Sequence, residues 1–297
     1  MQGCKVPQFW EAAVKIIGMK KLKKILAFVV AAFMAIIYFA EEINGVVGNV
    51  QDALPVQFDL TNVGLPVLEG GNSSQVIAYT GHTLSYNSET RLPNWVAYEL
   101  TAQEAQGENP RKDKFAQDPQ VRGPQGAKED YRNSGWDRGH MAPAGDMKWS
   151  TLAMDETYYF TNICPQNHEL NSGDWKELEE QCRRWAIKYG SLHVVCGPVV
   201  GGNAHGVLGP NKIVIPDKFF KVILIPKGGE YHGVGFIFDN PPRRKSKISS
   251  KPPVQRPLQS YAVTIDEVER IAGMDFFPLL PAELQEVVES TSALPSR

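Results

Sequence analysis

The sequence has 297 residues, of which 42% are hydrophobic and 10% aromatic, so the chain can bury a large core. These values exclude a disordered or fibrous protein, and the length fits either two domains or one α/β domain behind a targeting segment. The formal net charge of −2 excludes a global attraction for nucleic acid. Any contact with nucleic acid must therefore depend on a local basic patch and a metal ion.

The N-terminal part of the chain has four lysines between positions 20 and 24, followed by an apolar run from Ile25 to Ala40. A positively charged stretch before an apolar run is typical of a signal peptide or a membrane anchor. We therefore predict that residues 1–44 are an export signal or membrane anchor that engages the export machinery or the membrane. The protein would then be secreted, periplasmic or anchored by residues 25–40, with a linker at 45–75 and a folded domain at 76–290.

The first half of the predicted domain contains a strand region and a long loop. Residues 75–100 have short apolar runs on either side of a turn at Tyr86-Asn87-Ser88, which predicts antiparallel strands. Residues 101–135 are polar with little apolar periodicity, so we predict a surface loop of the kind that often carries functional residues. Four further strands, forming a second block of sheet, are predicted at 192–197, 212–215, 219–225 and 233–238.

Two shorter features are recognised in the C-terminal part. Residues 241–257 combine prolines with lysines and arginines, which indicates a loop. A basic run of this kind is more often a solvated surface than a nucleic-acid contact. Thr264 has the position of a helix N-cap, and Glu267, three residues later, completes the pattern of a capping box. A short helix is therefore predicted to begin after Thr264.

The stretch that carries the chemistry runs from Trp136 to Tyr189. It opens with Asp137-Arg138-Gly139-His140 and continues through a polar connection. The aromatic residues at 158–162 then predict a strand, which Pro165-Gln166 ends. The pattern is that of a strand, a loop and a second strand.

A buried amphipathic helix is predicted next, because apolar residues from Trp175 onward recur at helical spacing. Asn171 and Glu179 lie near the edges of this apolar stripe. Arg183 follows Glu179 by four residues, so its guanidinium and the carboxylate lie on one flank of the helix. An isolated pair with this spacing is more often a surface ion pair than part of a site.

Together these motifs resemble the DNA/RNA non-specific endonuclease family, the group that includes endonuclease G. The resemblance rests on Asp137-Arg138-Gly139-His140 and on Thr161-Asn162, Pro165-Gln166, Leu170-Asn171 and Leu178-Glu179. It extends from Tyr79 to Pro278 and covers most of the chain after the predicted linker. It implies an α+β fold with mixed and antiparallel sheets, in which a ββα-metal motif, or His-Me finger, forms the active site.

The resemblance also implies an activity and a set of site residues. It implies a Mg²⁺-dependent endonuclease, with Mn²⁺ as a substitute, that hydrolyses the phosphodiester bonds of DNA and RNA and leaves 5′-phosphates. His140 would be the general base, Asn171 would bind Mg²⁺ directly, and Glu179 would contact the ion through water. The other candidate catalytic residues are Arg138, Asn162, Arg183 and Arg111, with Asp137 as a supporting residue.

Phosphodiester hydrolysis explains why these residue types are needed. A histidine with an ordinary pKa near about 6.5 can take a proton from water at neutral pH, provided that it is neutral beforehand. A Mg²⁺ ion keeps several waters and needs few protein ligands, and a neutral Asn171 carbonyl leaves its charge available to the phosphate. Arginines that hold phosphate oxygens do not distinguish bases, so we expect weak sequence preference.

Other interpretations stay open from the sequence. One is a catalytically inactive nucleic-acid-binding protein, expected to have lost His140 or Asn171, although both are present. Another is a membrane-anchored interaction protein on the same scaffold. His168 lies near cysteines, but their spacing is irregular for a zinc site. The cysteines fit buried thiols better than a disulfide framework, although an exported chain could hold one bridge. A homodimer is also left open.

Overall fold

The fold is known from a computed structural model, which describes residues 63–69, 74–202, 205–227, 230–242 and 256–295. The predicted export segment and most of the predicted linker lie outside these residues, as does most of the proline-rich loop at 241–257. None of the helices in these ranges has the length and apolar character needed to cross a membrane.

The described part of the chain combines strands with five α-helices. The strands are β1 Val67–Leu68, β2 Gln75–Ala78, β3 Thr83–Asn87, β4 Leu92–Thr101, β5 Asp137–His140, β6 Ile163–Gln166, β7 Ser191–Val199, β8 Val207–Leu208, β9 Ile213–Val214, β10 Lys218–Lys227, β11 Glu230–Asp239, β12 Ala262–Val263 and β13 Met274–Asp275. The helices are α1 Thr151–Glu156, α2 His168–Ser172, α3 Asp174–Tyr189, α4 Ile265–Ala272 and α5 Ala282–Glu289. This composition confirms the α+β class.

A seven-stranded antiparallel sheet is the centre of the domain, with the strand order β12-β11-β10-β7-β4-β3-β2. The two predicted blocks of strands are therefore one sheet, joined where β4 pairs with β7 through Val96 and Cys196. The sequence pattern could not show this junction, because it depends on a pairing across about a hundred residues. The predicted strand at 212–215 shortens to β9, which pairs with β8 outside the large sheet.

Both faces of this sheet are covered, which explains why its central strands are apolar along nearly their whole length. Alternate side chains of a strand point to opposite faces. On one face, Phe219 and Ile223 of β10 pack with Trp175 and Leu178 of α3. On the other face, the intervening residues of β10 pack with Ile265 of α4 and the residues that follow it. Helix α3 is thereby fixed against the sheet.

The region between the two motif strands differs from the prediction. Residues 158–162 form a turn and a 3₁₀ turn rather than a strand, and the second strand begins at Ile163. Pro165 and Gln166 are the last two residues of β6, so the strand ends where the sequence predicts. The ribbon formed by β5 and β6 has two strands only, so β6 is an edge on which a proline is tolerated. Helix α1, in the connection, was not predicted.

Several predictions at the ends of the domain can be compared with the structure. Val63 is fully buried and β1 pairs with β13, so the folded part begins inside the predicted linker. Thr264 caps α4 as predicted, since its hydroxyl accepts a hydrogen bond from the Glu267 backbone N–H at 3.1 Å. The Glu267 carboxylate pairs with Arg270 rather than closing the box.

The free cysteines Cys164, Cys182 and Cys196 are all buried, as the thiol interpretation expects.

Candidate active site

The ribbon of β5 and β6, followed by α2 and α3, places the sequence motif on a ββα arrangement. His140 ends β5 opposite Ile163. Gly139 lies against Gln166, and a Cβ atom at Gly139 would come within 2.2 Å of the Gln166 Oε1 atom. Only glycine therefore leaves room for the Gln166 side chain at this position, which explains the glycine in the motif.

One cavity of about 1000 Å³ brings most of the predicted site residues together. His140 from β5, Asn171 from α2 and Glu179 from α3 all line it. Asp137 and the three predicted arginines line the same cavity, namely Arg111, Arg138 and Arg183. An imidazole, an amide, a carboxylate and guanidinium groups thus face one space, although they come from separate elements.

Asn171 and Glu179 do not share a helix, which corrects the sequence interpretation. Helix α2 ends at Ser172 and α3 begins at Asp174, with Gly173 between them. A Cβ atom at Gly173 would lie 2.4 Å from the Glu169 carbonyl oxygen, so the break requires glycine. The sequence pattern suggests one helix that includes Asn171, but the structure has two. The orientation of Asn171 is therefore set by the short helix α2 and not by α3.

The orientation of the Asn171 amide is held by Asp137. The Asn171 Nδ2 atom donates to Asp137 Oδ2 at 2.9 Å, and His168 Nδ1 lies 2.8 Å from the same oxygen. Because the two polar atoms of an amide point in different directions, this contact leaves the Asn171 carbonyl oxygen as the atom available to a cation. Asp137 therefore contacts the predicted metal ligand directly, and its supporting role stays a prediction.

Asn162 does not line the cavity but fixes the backbone beside it. Its side chain is fully buried, accepts from the Ala142 backbone N–H and donates to the carbonyl oxygens of Ala142 and Thr157, each at 2.9 Å. The Met141 backbone N–H in turn donates to the Asn162 carbonyl. These bonds hold the chain just after His140, so the contacts of Asn162 are those of a positioning residue.

His140 is packed between aromatic rings and is neutral over the ordinary pH range. Its ring lies edge-on to Tyr158 at 5.0 Å and tilted to Phe115 at 5.4 Å between centroids. Burial, together with the charges of Arg111 and Arg138, lowers the pKa of His140 to about 3. Its Nε2 atom has no hydrogen-bond partner in the described ranges. A buried polar atom without a partner calls for an explanation, and a catalytic role is one of the explanations available to an atom beside a cavity.

The three arginines of the cavity have different supports. Arg138 stacks over the Phe115 ring at 4.1 Å, and Arg111 donates to the Tyr158 hydroxyl at 3.1 Å. Arg183 pairs with the buried Asp146 at 2.6 Å. The alternative interpretation of Glu179 and Arg183 as a surface ion pair is therefore not what the structure has, because Arg183 pairs with Asp146 instead. Helical spacing placed the two side chains side by side, but the buried carboxylate offers the stronger partner.

Glu179 lies over a buried charge. Burial raises the pKa of Glu179 to about 7, and Lys221 is the largest influence in the opposite direction. Lys221, from β10, is fully buried with its Nζ atom 4.4 Å from the centre of the Trp175 ring. The buried ammonium of Lys221 favours the ionised form of Glu179. Sequence reasoning missed Lys221, because a lysine within a predicted strand is ordinarily interpreted as a surface residue.

The charges that line the cavity differ from those of the whole chain. Six cationic and three acidic side chains line it, although the net charge of the protein is −2. The cavity is therefore a local basic patch of the kind that the sequence requires for contact with nucleic acid. Its cationic side chains that the sequence did not single out are Lys128, Arg132 and Lys176.

Other contributors were also missed. Asp146 holds Arg183, Tyr158 packs against His140, and His168 supports Asp137. Their positions inside the motif region were the available signal, but nothing in the spacing assigned them partners. The zinc interpretation of His168 is not supported, since the group of possible metal-ligating side chains in the described part of the chain contains neither His168 nor a cysteine.

Comparison with known proteins gives consistent matches. The family described as DNA/RNA non-specific endonuclease matches residues 61–283. The mitochondrial nuclease EXOG of Danio rerio is 39% identical over 73% of this chain and 64% of its own length, which is less than two thirds. Human mitochondrial endonuclease G is 31% identical over 74% of this chain and 73% of its own length. The structure titled as the EndoG/EndoGI complex has a TM-score of 0.64 at 27% identity and covers 76% of this chain and 92% of its own.

These relatives correct the predicted location. Both nucleases are named as mitochondrial, so the prediction of a secreted, periplasmic or membrane-anchored protein is wrong. Mitochondrial targeting segments are also positively charged, so lysines near the N-terminus do not by themselves indicate secretion. The interpretation as a membrane-anchored interaction protein loses its basis with this correction. Residues 1–44 themselves lie outside the described part of the structure.

Proposed function

This chain belongs to the DNA/RNA non-specific endonuclease family, and we propose that it is a Mg²⁺-dependent endonuclease that cuts DNA and RNA to leave 5′-phosphates. One observation carries the proposal: His140 and Asn171 line the same basic cavity, although they lie on separate elements. In this proposal His140 is the general base, and Asn171 is the direct ligand of the ion. Glu179 contacts the ion through water.

The residues present fit a magnesium ion. The Asn171 carbonyl oxygen is left available by the hydrogen bond from its Nδ2 atom to Asp137, and the Glu179 carboxylate faces the same cavity. Oxygen ligands are those that Mg²⁺ prefers, and an ion with few protein ligands keeps much of its charge for the substrate. When bound, the ion would neutralise the negative charge that develops on the phosphate and on the leaving oxygen.

His140 is suited to accept a proton once substrate is present. Its lowered pKa keeps the imidazole neutral at pH 7, so the ring does not repel the metal ion electrostatically. The same low pKa makes the free imidazole a weak base. A phosphate group in the cavity places negative charge near the ring and offsets the influence of Arg111 and Arg138, which raises its basicity. Substrate binding thus prepares His140 for proton transfer.

The arginines account for the substrate class. Guanidinium groups bind phosphate oxygens through paired hydrogen bonds, and the supports of Arg138, Arg111 and Arg183 keep each of them at the cavity. Contacts with phosphate and sugar carry no direct information about base identity. We therefore expect cleavage of both DNA and RNA with weak sequence preference.

The test is cleavage of supercoiled plasmid and of a structured RNA by the purified full-length chain. We expect cleavage with Mg²⁺ and none with EDTA, and product ends that carry 5′-phosphates. His140→Ala should reduce cleavage by at least ~100-fold, within the range of general-base contributions, while DNA binding persists. Asn171→Ala should also lose cleavage. His232→Ala, at a histidine on β11 that does not line the cavity, is the matched control and should retain full activity.

The outcomes separate the proposal from the inactive class. If the wild-type chain binds DNA without cutting it under any divalent cation, the protein is a non-catalytic nucleic-acid-binding member of the family. If His140→Ala cuts at the wild-type rate, His140 has no part in proton transfer. Gel filtration of the same preparation tests the homodimer, which stays a prediction.

A further inference from the structure

A second group of carboxylates lies away from the cavity, on the two C-terminal helices. Single oxygen atoms of Asp266, Glu269 and Glu289 lie within 4.8 Å of one another. Asp266 and Glu269 are three residues apart on α4 and so share a face of that helix. Glu289 is the last residue of α5, and both helices pack on β11. None of the three lines the cavity of His140.

Glu289 is the unusual member of this carboxylate cluster. The residue is only 7% exposed, and its Oε1 atom has no hydrogen-bond partner in the described ranges. Burying a carboxylate is costly unless the charge is paired or binds a metal. Burial, Glu269, Asp266 and Asp275 together raise the pKa of Glu289 to about 8, while Gln285 acts in the opposite direction through a hydrogen bond. The charged groups acting on this carboxyl are thus all negative.

Of the other two carboxylates, Glu269 is held in place by a hydrogen bond and Asp266 is exposed to solvent. Glu269 uses its Oε1 atom to accept from the Phe276 backbone N–H at 2.8 Å, which fixes the side chain and leaves its second oxygen. Asp266 is exposed at the first turn of α4, so the cluster is open to solvent on that side. The buried carboxyl group of Glu289, the fixed carboxylate of Glu269 and the exposed carboxylate of Asp266 therefore lie close enough together to share one ion.

We propose that Asp266, Glu269 and Glu289 bind a divalent cation of the calcium class at a site separate from the nuclease cavity. Calcium lies about 2.3–2.6 Å from its oxygen ligands, so ligands on opposite sides of the ion are roughly 5 Å apart, close to the spread of this cluster. Magnesium requires a tighter octahedron, with opposite ligands about 4 Å apart. The bound ion would neutralise Glu289 and tie the end of α5 to α4.

Thermal unfolding of the full-length chain tests this site. The Asn171→Ala background removes the amide assigned to the cavity ion, so that calcium binding there contributes less. With 5 mM CaCl₂ in place of EDTA, we expect the melting temperature to rise by about 3 °C or more. Glu289→Gln, which keeps the shape and removes the charge, should abolish this rise. Glu286→Gln, at an exposed position of the same helix, is the matched control and should keep it.

Two further measurements make the result decisive. Calorimetric titration with CaCl₂ should show one binding site fewer in Glu289→Gln. Asp266→Asn changes an exposed position, so this variant can be measured even if the Glu289 variant folds poorly. It should weaken calcium binding about tenfold. Glu289→Gln should cut plasmid at the wild-type rate with Mg²⁺, so loss of this site and loss of nuclease activity are distinguishable. An equal calcium shift with and without the Glu289 carboxylate would overturn the proposal, and so would the absence of any shift in the control.

Discussion

The contact between Asp137 and Asn171 makes a quantitative prediction for metal affinity. Asp137→Ala removes the acceptor that orients the Asn171 amide. Hydrogen bonds to charged groups contribute about 1.5–3 kcal/mol. Because the Asp137 side chain is 30% exposed, water weakens this contact, and we take the lower limit of about 1.5 kcal/mol. Since about 1.4 kcal/mol corresponds to a factor of ten, the Mg²⁺ concentration for half-maximal cleavage should rise about tenfold.

The assay is the initial rate of plasmid cleavage as a function of Mg²⁺ concentration. The Asp137→Ala curve should move to higher Mg²⁺ while its plateau stays within about threefold of the wild type, because the amide itself remains. His168→Ala is the matched control. It removes the other group in contact with the same carboxylate oxygen, without touching Asn171, and should move the midpoint by no more than about twofold.

Two results would refute this reasoning. An unchanged midpoint in Asp137→Ala would show that the amide keeps its orientation without the carboxylate. A large loss of the plateau rate with an unchanged midpoint would place Asp137 in the chemical step rather than behind the metal ligand.

Three other predictions concern residues that line the cavity or support a residue that lines it. Asp146→Ala leaves Arg183 without its buried partner and should destabilise the fold by about 3 kcal/mol, measured as a fall in melting temperature of roughly 6–12 °C. Because the pKa of His140 lies near 3, the folded chain binds fewer protons than the unfolded chain between about pH 3 and 6.5. The free energy of unfolding should therefore fall as pH falls through this window. The His140 ring signals in NMR should not titrate above pH 5. Titration of these signals near pH 6.5 would contradict the assigned environment. Arg132→Ala should weaken DNA binding in EDTA and reduce its salt slope by about one, whereas Arg184→Ala, outside the cavity, should not.

Local patterns in the sequence were sufficient for most elements. Helix α3 was predicted from its apolar spacing, and the cap of α4 from Thr264. The four-residue motif of β5 identified the family, because few chains carry that string with the same downstream residues. Such features can be recognised early because helical and strand periodicities reflect neighbours only a few residues away. The same restriction explains why the sequence predicts a strand at 158–162, where the structure has turns, since aromatic residues suit both.

The contacts that make the cavity were decided only by the tertiary structure. Helical spacing places Glu179 and Arg183 on one flank, but the partner of Arg183 is Asp146, which lies 37 residues before it along the chain. Asp137 reaches Asn171 across 34 residues, and the two strand blocks join where β4 meets β7. The sequence by itself determined which residue types are present and which local elements carry them. Which charge pairs with which, and which atom faces the cavity, depends on burial and distance, and these exist only once the chain has packed.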